Sequence, residues 1–494
     1  MAKLTRYPML LTGAGMLAML VACTTEITGS KASSGDPFRT LIGYNSFAPA
    51  YQTPSTYDTE LLTAMADLLP VEALRFPGGT PANYFDWDTM TIDQSLVAAA
   101  GVRHLTRRLQ NMRNDNDGVL PAWDLASFSR LVTPRGAAPF IVLNVYYSSY
   151  EQTIAAVDYV DSIFGADTII HWELGNELSL YGYQTRKRAD GSAWTVDEYI
   201  EKGRLIAAHI RRTRSNDKIG VVVGEYVDGR VVRSAAPIYI RRMMDNWDNK
   251  LSGEKWYDAV IYHPYIVLHG AGKWYAAGLA TPETIDNTRR ERLWRSVRQL
   301  PSGYRDRYRQ YYAGAEIWLT EVGVADVAES ETGDLPLAVL AYFAEWQRLG
   351  EPLTAYLFHT FAPVGKLTSV GPVDAKLNVT FLGLAQLFLK QLAGSELVVR
   401  RDALADGWVY SIRRPGDDKS ILVNTANQAW VEKLQSGSTD CVLSIYRRER
   451  SDLIRSRAVR TLADLPSARQ LCRQIDVPAQ SIVLATPDTA GSRQ

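Results

Sequence analysis

IIHWELGNELSLYG, residues 169–182, is the stretch on which the reading of the fold turns. An apolar run gives way to small and polar residues, as where a buried strand enters a loop. Two carboxylates, Glu173 and Glu177, stand four positions apart at that transition. A glutamate there can simply start the next helix. It can also give up a proton, and the rest of the chain has to separate the two readings.

Seven further runs share the texture of this one. In chain order they are 40–47 (TLIGYNSF), 72–77 (EALRFP), 139–146 (PFIVLNVY), then 169–176 itself, 218–226 (KIGVVVGEY), 258–265 (DAVIYHPY), 316–323 (EIWLTEVG) and 354–361 (TAYLFHTF). Helical patterns separate most of them. The clearest follows Thr195, where TVDE has the form of a capping box, and Ile200, Gly203, Ile206, Ala207 and Ile210 then share one helical face. Eight strands alternating with helices predict a (β/α)8 barrel over residues 38–394. A doubly wound sheet is the competitor, but no glycine-rich phosphate loop opens an early helix. From about residue 395 the runs become short and are separated by Gly, Asp, Asn and Pro, which predicts an antiparallel β-sandwich over residues 395–490.

Composition narrows the function. The 494-residue chain is long enough for a large core plus an accessory domain. Lys plus Arg and Asp plus Glu number 54 each, so no net field draws in nucleic acid. Three Cys and six His show no zinc-type spacing, and the reading implies no metal and no cofactor.

The N-terminus reads as an address. Lys3 and Arg6 precede an apolar run of signal-peptide length, too short to span a bilayer comfortably. The run ends LVAC, which resembles the bacterial lipobox and implies a signal peptide over 1–22, a lipidated Cys23 and a tether over 23–37. Acyl chains contribute about 0.8 kcal/mol per buried methylene, enough for stable anchoring when several share one residue. Thr24 in place of Asp implies, by that resemblance, the outer membrane, periplasmic or surface-facing. The alternative is an ordinary signal peptide with a chance Cys. With Cys23 so assigned, Cys441 and Cys472 remain as a pair that an exported protein can oxidise; two unpaired thiols are the alternative.

Barrel active sites form where strands end. Glu177 occupies such a point on the fourth strand and Glu321, in IWLTEVGV, the matching point on the seventh. Two carboxylates across a barrel mouth suit glycoside hydrolysis, in which one donates a proton and the other attacks or activates water. Glu225 sits similarly on strand five, so position alone does not decide. Glu173 is expected within the barrel, paired with an Arg.

WELGNE together with LTEVG resembles the clan A retaining glycoside hydrolases. The resemblance implies Glu177 as acid/base, Glu321 as nucleophile and Asn176 as a ligand of the sugar 2-hydroxyl. LRFPGGTPANYFDW (74–87) is similar to the strand-two turn of family 51 arabinofuranosidases, implying that Arg75 holds the nucleophile. VIYHPY resembles the clan's strand-six ending, making His263 and Tyr265 candidates for contact with the nucleophile. TEVGVAD is closer to families 39 and 79, and the trailing β-domain matches an arrangement found in families 30, 39, 51 and 79. Strand eight, LFHTF, lacks the Trp frequent in the clan. Asn144 at the end of strand three, and Trp87 and Tyr181 in mouth loops, are weaker candidates for sugar contacts, aromatic rings being suited to sugar faces. The expectation is a retaining glycosidase acting on a poly- or oligosaccharide, arabinofuranosidase-, xylosidase- or glucuronidase-like. The alternatives are a glycan-binding lipoprotein on a catalytically silent barrel and a transglycosidase.

Overall fold

The computed structural model describes residues 39–45, 59–114, 124–185, 192–224, 238–266, 282–323, 334–359, 361, 371–374, 376–394, 396–415, 419–432, 440–448, 459, 461–471 and 475–487. The expected signal peptide, Cys23 and the tether lie outside these residues, as do Glu225, Cys472 and the side chain of Tyr181.

Eight strands form the barrel: β1 (Leu41–Asn45), β2 (Ala73–Phe76), β3 (Ala138–Leu143), β4 (His171–Leu174), β5 (Lys218–Val222), β6 (Ala259–Tyr262), β7 (Glu316–Val322) and β8 (Leu353–Phe358). Each pairs in parallel with the next, and β1 closes the ring on β8 through Leu41↔Ala355 to Tyr44↔Phe358. The strands read as continuous apolar runs because closure buries both their faces. The expected runs overshoot the strand ends, as at Leu143, Leu174, Tyr262 and Phe358. The reason is that loop residues beyond them, such as Val145, Tyr146, Ile266 and Phe361, are themselves buried over the mouth.

Helices follow the strands on the outside. The helix Val196–Thr213 starts at Thr195 with both hydrogen bonds of a capping box, and Ile200, Gly203, Ile206, Ala207 and Ile210 are buried on its inner face. The helix Leu335–Arg348 is buried from Leu335 through Trp346, on every side. A helix apolar all round must be covered all round, and the C-terminal sheet covers the side away from the barrel.

That sheet comprises β9 (Val398–Leu404), β10 (Gly407–Arg413), β11 (Ser420–Asn424), β13 (Asp440–Arg447), β14 (Ser467–Leu471) and β16 (Ser481–Pro487), antiparallel in the order β9-β10-β11-β16-β13-β14. β12 (Trp430–Glu432) and β15 (Ile475–Val477) form a second, two-stranded ladder. Strand alternation gives the large sheet two apolar faces. Leu422, Leu443, Val483 and Ala485 pack with Ile475 and Val477 of the ladder, whereas Tyr410, Ile412, Val423 and Ile482 join the core around the barrel. Buried Glu345 on the covered helix accepts from Arg401 and Tyr410 of the sheet at 2.7 and 2.8 Å. Cys441, on β13, is buried and disulfide-bonded. Among the described residues no helix is long and apolar enough to cross a membrane.

Inside the barrel, residues two apart along a strand share the inward face. At the N-terminal end Ala73, Phe140, Ala259, Ile261, Trp318, Ala355 and Leu357 form a core of their own. His171 stacks on Phe140 there, with ring centroids 4.4 Å apart. Two residues further along, Arg75, Glu173, His263 and Thr320 replace that apolar layer with a polar one.

Candidate active site

The polar layer is organised around Arg75, buried at the inner face of β2. Its Nε and one terminal nitrogen grip Glu173 at 2.8–3.0 Å. The same terminal nitrogen donates to Asn176 Oδ1 at 2.9 Å, and the other donates to Glu321 Oε1 at 2.6 Å. Burial opposes the guanidinium's charge, but Glu173 and Glu321 outweigh it and push its pKa upward. Arg75 is thus both an internal barrel ion pair and the anchor of Glu321.

The turn after β2 makes room for this. The Phe76–Pro77 peptide is cis, and Gly78 and Gly79 both have positive φ. At Gly78 a Cβ would sit 1.9 Å from Asn45 Oδ1, so only glycine fits. Asn45, at the end of β1, donates to Glu321 Oε1 at 3.4 Å.

Glu321 lies on β7 with little exposure. Its second oxygen accepts from the Tyr265 hydroxyl at 2.6 Å and lies 3.7 Å from His359 Nε2. Burial alone would raise the pKa of this carboxyl. The charges of His263, Arg75 and His359, with the Tyr265 hydrogen bond, outweigh it and bring it down to about 2. Glu321 is therefore ionised throughout the neutral range.

Glu177 stands three residues past the end of β4. Gly175 (φ 84°) turns the chain; a Cβ there would meet Leu178 Cδ1 at 2.5 Å. Glu177 itself has φ 53°, a conformation that costs an ordinary residue about 1 kcal/mol or more. Asn83 clamps the approach, accepting from the Asn176 backbone N–H at 2.9 Å and donating to its carbonyl at 2.7 Å. The Glu177 carboxyl, 20% exposed, lies 3.0 Å from His263 Nδ1. One carboxylate oxygen from each of Glu177 and Glu321 and one nitrogen of His263 fall within 4.8 Å of one another. These three groups are also the donors a metal ion would need. However, Arg75 and Tyr265 already donate to the two Glu321 oxygens, and a cation would have to displace them.

The structure thus gathers Arg75, Asn176, Glu177, His263, Tyr265 and Glu321 into one cluster. Of the strand-six pair, Tyr265 makes the direct bond to Glu321, whereas His263 sits closer to Glu177 and 3.9 Å from Glu321. Asn176 Nδ2 is buried with no hydrogen-bond partner among the described residues, while its Oδ1 is fixed by Arg75, so the amide presents a donor.

Two candidates are not brought in. Trp87 is 8% exposed and packs edge-on against Phe76 and Phe85, because the residues after the Pro-Gly-Gly turn fold back into the core. Asn144 donates to the Phe85 carbonyl and accepts from the Tyr147 N–H, so both ends of its amide brace loops. Tyr181 begins the short helix Tyr181–Thr185. Sequence reasoning missed Asn45, Asn83, Thr320 and His359. Alternation from Trp318 and from Ala355 and Leu357 would have placed Thr320 and His359 on the inward face; nothing in the sequence marks Asn83.

The architecture is that of a (β/α)8 barrel with a C-terminal antiparallel sheet domain, its polar cluster at the strand ends where barrel sites form. Solved glycoside hydrolases share it. An endoglucanase of family 44 from Clostridium thermocellum aligns over 92% of this chain and 97% of its own, with TM-score 0.54 and 14% identity. A family 51 α-L-arabinofuranosidase from Bifidobacterium longum aligns over 92% and 96%, with TM-score 0.55 and 12% identity. A 4-O-α-L-rhamnosyl-β-D-glucuronidase from Fusarium oxysporum aligns over 91% and 97%, with TM-score 0.51 and 12% identity. At such identities the likeness is one of fold. No family model and no curated protein matches the sequence.

Proposed function

We propose that the protein is a retaining glycoside hydrolase, with Glu177 as acid/base and Glu321 as nucleophile. The observation that carries this reading is the pair of carboxylates with oxygens within 4.8 Å across the barrel mouth. Retaining enzymes hold their carboxyl groups about 5–5.5 Å apart, whereas inverting ones need about 6.5–9.5 Å to admit a water. The electrostatics support the same division of labour: Glu321 is kept ionised by His263, Arg75, His359 and the Tyr265 hydrogen bond, while Glu177 is the more exposed of the two carboxyls.

In the first step a Glu321 oxygen bonds to the anomeric carbon and the glycosidic C–O bond breaks. The Glu177 proton passes to the leaving oxygen. In the second, Glu177 takes a proton from water, whose oxygen attacks the anomeric carbon and releases Glu321. The Asn176 donor is placed to meet a sugar hydroxyl, a contact that strengthens as positive charge develops at the anomeric carbon.

The structural relatives act, by their descriptions, as an endoglucanase, an arabinofuranosidase and a rhamnosyl-glucuronidase. The substrate class proposed is accordingly a glycosidic bond of a poly- or oligosaccharide. A panel of 4-nitrophenyl glycosides and glucan, xylan and arabinan oligomers tests it, with NMR of the first-formed anomer. Retention of configuration is expected, with loss of about 10⁴-fold or more in kcat for Glu321→Ala. An inverted product, or near-normal turnover by Glu321→Ala, overturns it. Binding without cleavage would point to a glycan-binding protein, and transfer to added acceptor to a transglycosidase.

We further propose that the chain is exported and anchored through lipid on Cys23, in the outer membrane. Mass spectrometry of the N-terminal peptide from membrane fractions tests this; an unmodified Cys23, or an unchanged location of Cys23→Ala, overturns it.

A further inference from the structure

Glu177 holds a backbone conformation that a glutamate adopts only under constraint, with φ at 53° in the left-handed region. Such a residue persists where its surroundings fix the chain on both sides. On the N-terminal side the fixing comes from the turn after β2, through the Asn83 amide that grips both the N–H and the carbonyl of Asn176. The peptide that enters Glu177 is thereby set in plane and direction.

On the C-terminal side the chain is tied to a different strand. Ser179, fully buried, donates its hydroxyl to the Val223 carbonyl at 2.7 Å. Val223 is the first residue past β5, and that strand end is itself braced. The Tyr199 hydroxyl donates to the Leu174 carbonyl at 2.9 Å and accepts from the Val222 N–H at 3.0 Å, which joins the ends of β4 and β5. Trp247 Nε1 donates to the Val222 carbonyl at 2.9 Å. Ser179 is therefore bonded to a fixed point. Between the two anchors Leu178 is buried over Gly175, and the Leu180 N–H closes onto the Glu177 carbonyl at 3.0 Å. Glu177 is the joint at which these two restraints meet.

We propose that Ser179 is a positioning residue: its bond to Val223, set against the Asn83 clamp, holds Glu177 in the left-handed conformation and keeps the acid/base carboxyl facing Glu321. This rests on the reading of Glu177 as acid/base. Without the Ser179 bond the Glu177 backbone is released toward ordinary negative φ, a rotation of more than about 100° about its N–Cα bond. Because Asn83 still holds the preceding peptide, that rotation swings the Glu177 side chain away from its present place beside Glu321.

The first test needs no substrate. It compares thermal unfolding of Glu177→Gly and Glu177→Ala, in the otherwise wild-type chain and in the Ser179→Ala background. Glycine tolerates positive φ and alanine does not, so Glu177→Gly is expected to unfold about 1–2 °C above Glu177→Ala in the former. In the Ser179→Ala background the order should level or reverse, since a relaxed backbone favours alanine. A glycine variant no more stable than the alanine one in the wild-type background overturns the proposal, as does a glycine advantage undiminished by Ser179→Ala. Asn83→Ala releases the opposing side and should abolish the advantage in the same way; an undiminished advantage there also overturns it.

The second test is kinetic, on the phenyl and 2,4-dinitrophenyl glycosides of whichever sugar the panel shows to be cleaved. Ser179→Ala is expected to lower kcat/KM for the phenyl glycoside, whose departure needs a proton, by about 10-fold. It should leave the 2,4-dinitrophenyl glycoside, whose leaving group needs no acid, within about 2-fold. Equal loss on both would make Ser179 merely structural and overturn the proposal. If instead Glu177→Ala leaves the phenyl glycoside unaffected, the acid/base reading itself has failed, and the thermal comparison still decides what Ser179 does to the backbone.

Discussion

The two ends of the barrel interior are built on the same strands, two residues apart, and are chemically opposite. At the floor Ala73, His171 and Trp318 belong to an apolar plug in which His171 lies flat on Phe140. At the mouth Arg75, Glu173 and Thr320, the next inward positions on β2, β4 and β7, belong to a ring of charges and hydrogen bonds. The floor fixes the barrel by close packing. The mouth costs stability through desolvation and recovers it only because every charge has a partner. A single strand can therefore carry a packing residue and a polar residue of the candidate site two positions apart, and only the position along the axis distinguishes them.

Paired substitutions break that comparison most sharply. Trp318→Ala should lower stability by about 3–5 kcal/mol yet leave kcat per folded molecule near normal. Glu173→Gln should cost a similar amount, since it strips a buried guanidinium of one partner, and should depress kcat as well. Calorimetry with active-site titration separates the two. Equal effects on kcat would mean that floor and mouth are not functionally distinct.

The ends should also differ in their response to acid. Burial, reinforced by Lys218 and opposed by Glu316, lowers the pKa of His171 to about 4. As pH falls below 6.5 the unfolded chain takes up this proton first. Stability is full above that pH and declines by up to about 3 kcal/mol as pH approaches 4. Glu321 works in the lower window: its depressed pKa stabilises the fold above 4.5 and that contribution disappears as pH falls toward 2. Urea midpoints between pH 7 and 4.5 should fall steeply in the wild type and less in His171→Phe.

Smaller effects sharpen the division. Tyr265→Phe removes one charge-assisted hydrogen bond to Glu321, worth about 1.5–3 kcal/mol, and should reduce kcat about 10- to 100-fold while lowering Tm by only a few degrees. Thr195→Ala, in neither region, removes a helix cap and should cost about 1 kcal/mol with no kinetic effect.

The barrel was legible because parallel strands buried on both faces leave long apolar runs, and the catalytic candidates because Glu177 and Glu321 end two of those runs. Strand ends were not legible: the loops past Leu143 and Tyr262 stay apolar because they cover the mouth. Trp87 misled because an aromatic after a glycine turn looks the same whether the chain continues outward or folds back, as it does against Phe76 and Phe85. Thr320 escaped because threonine is an ordinary strand residue, and its meaning comes from His263 and Glu173, both distant in sequence.

Arg75 touches two carboxylates where one would anchor Glu321. During the proposed double displacement Glu321 becomes an uncharged ester and ceases to be an anion. Glu173 keeps a permanent counter-ion on the guanidinium through that interval, so no naked cation is stranded in the barrel while the sugar is covalently held. The fourth-strand glutamate that never meets the sugar is, on this view, what makes the intermediate electrically tolerable.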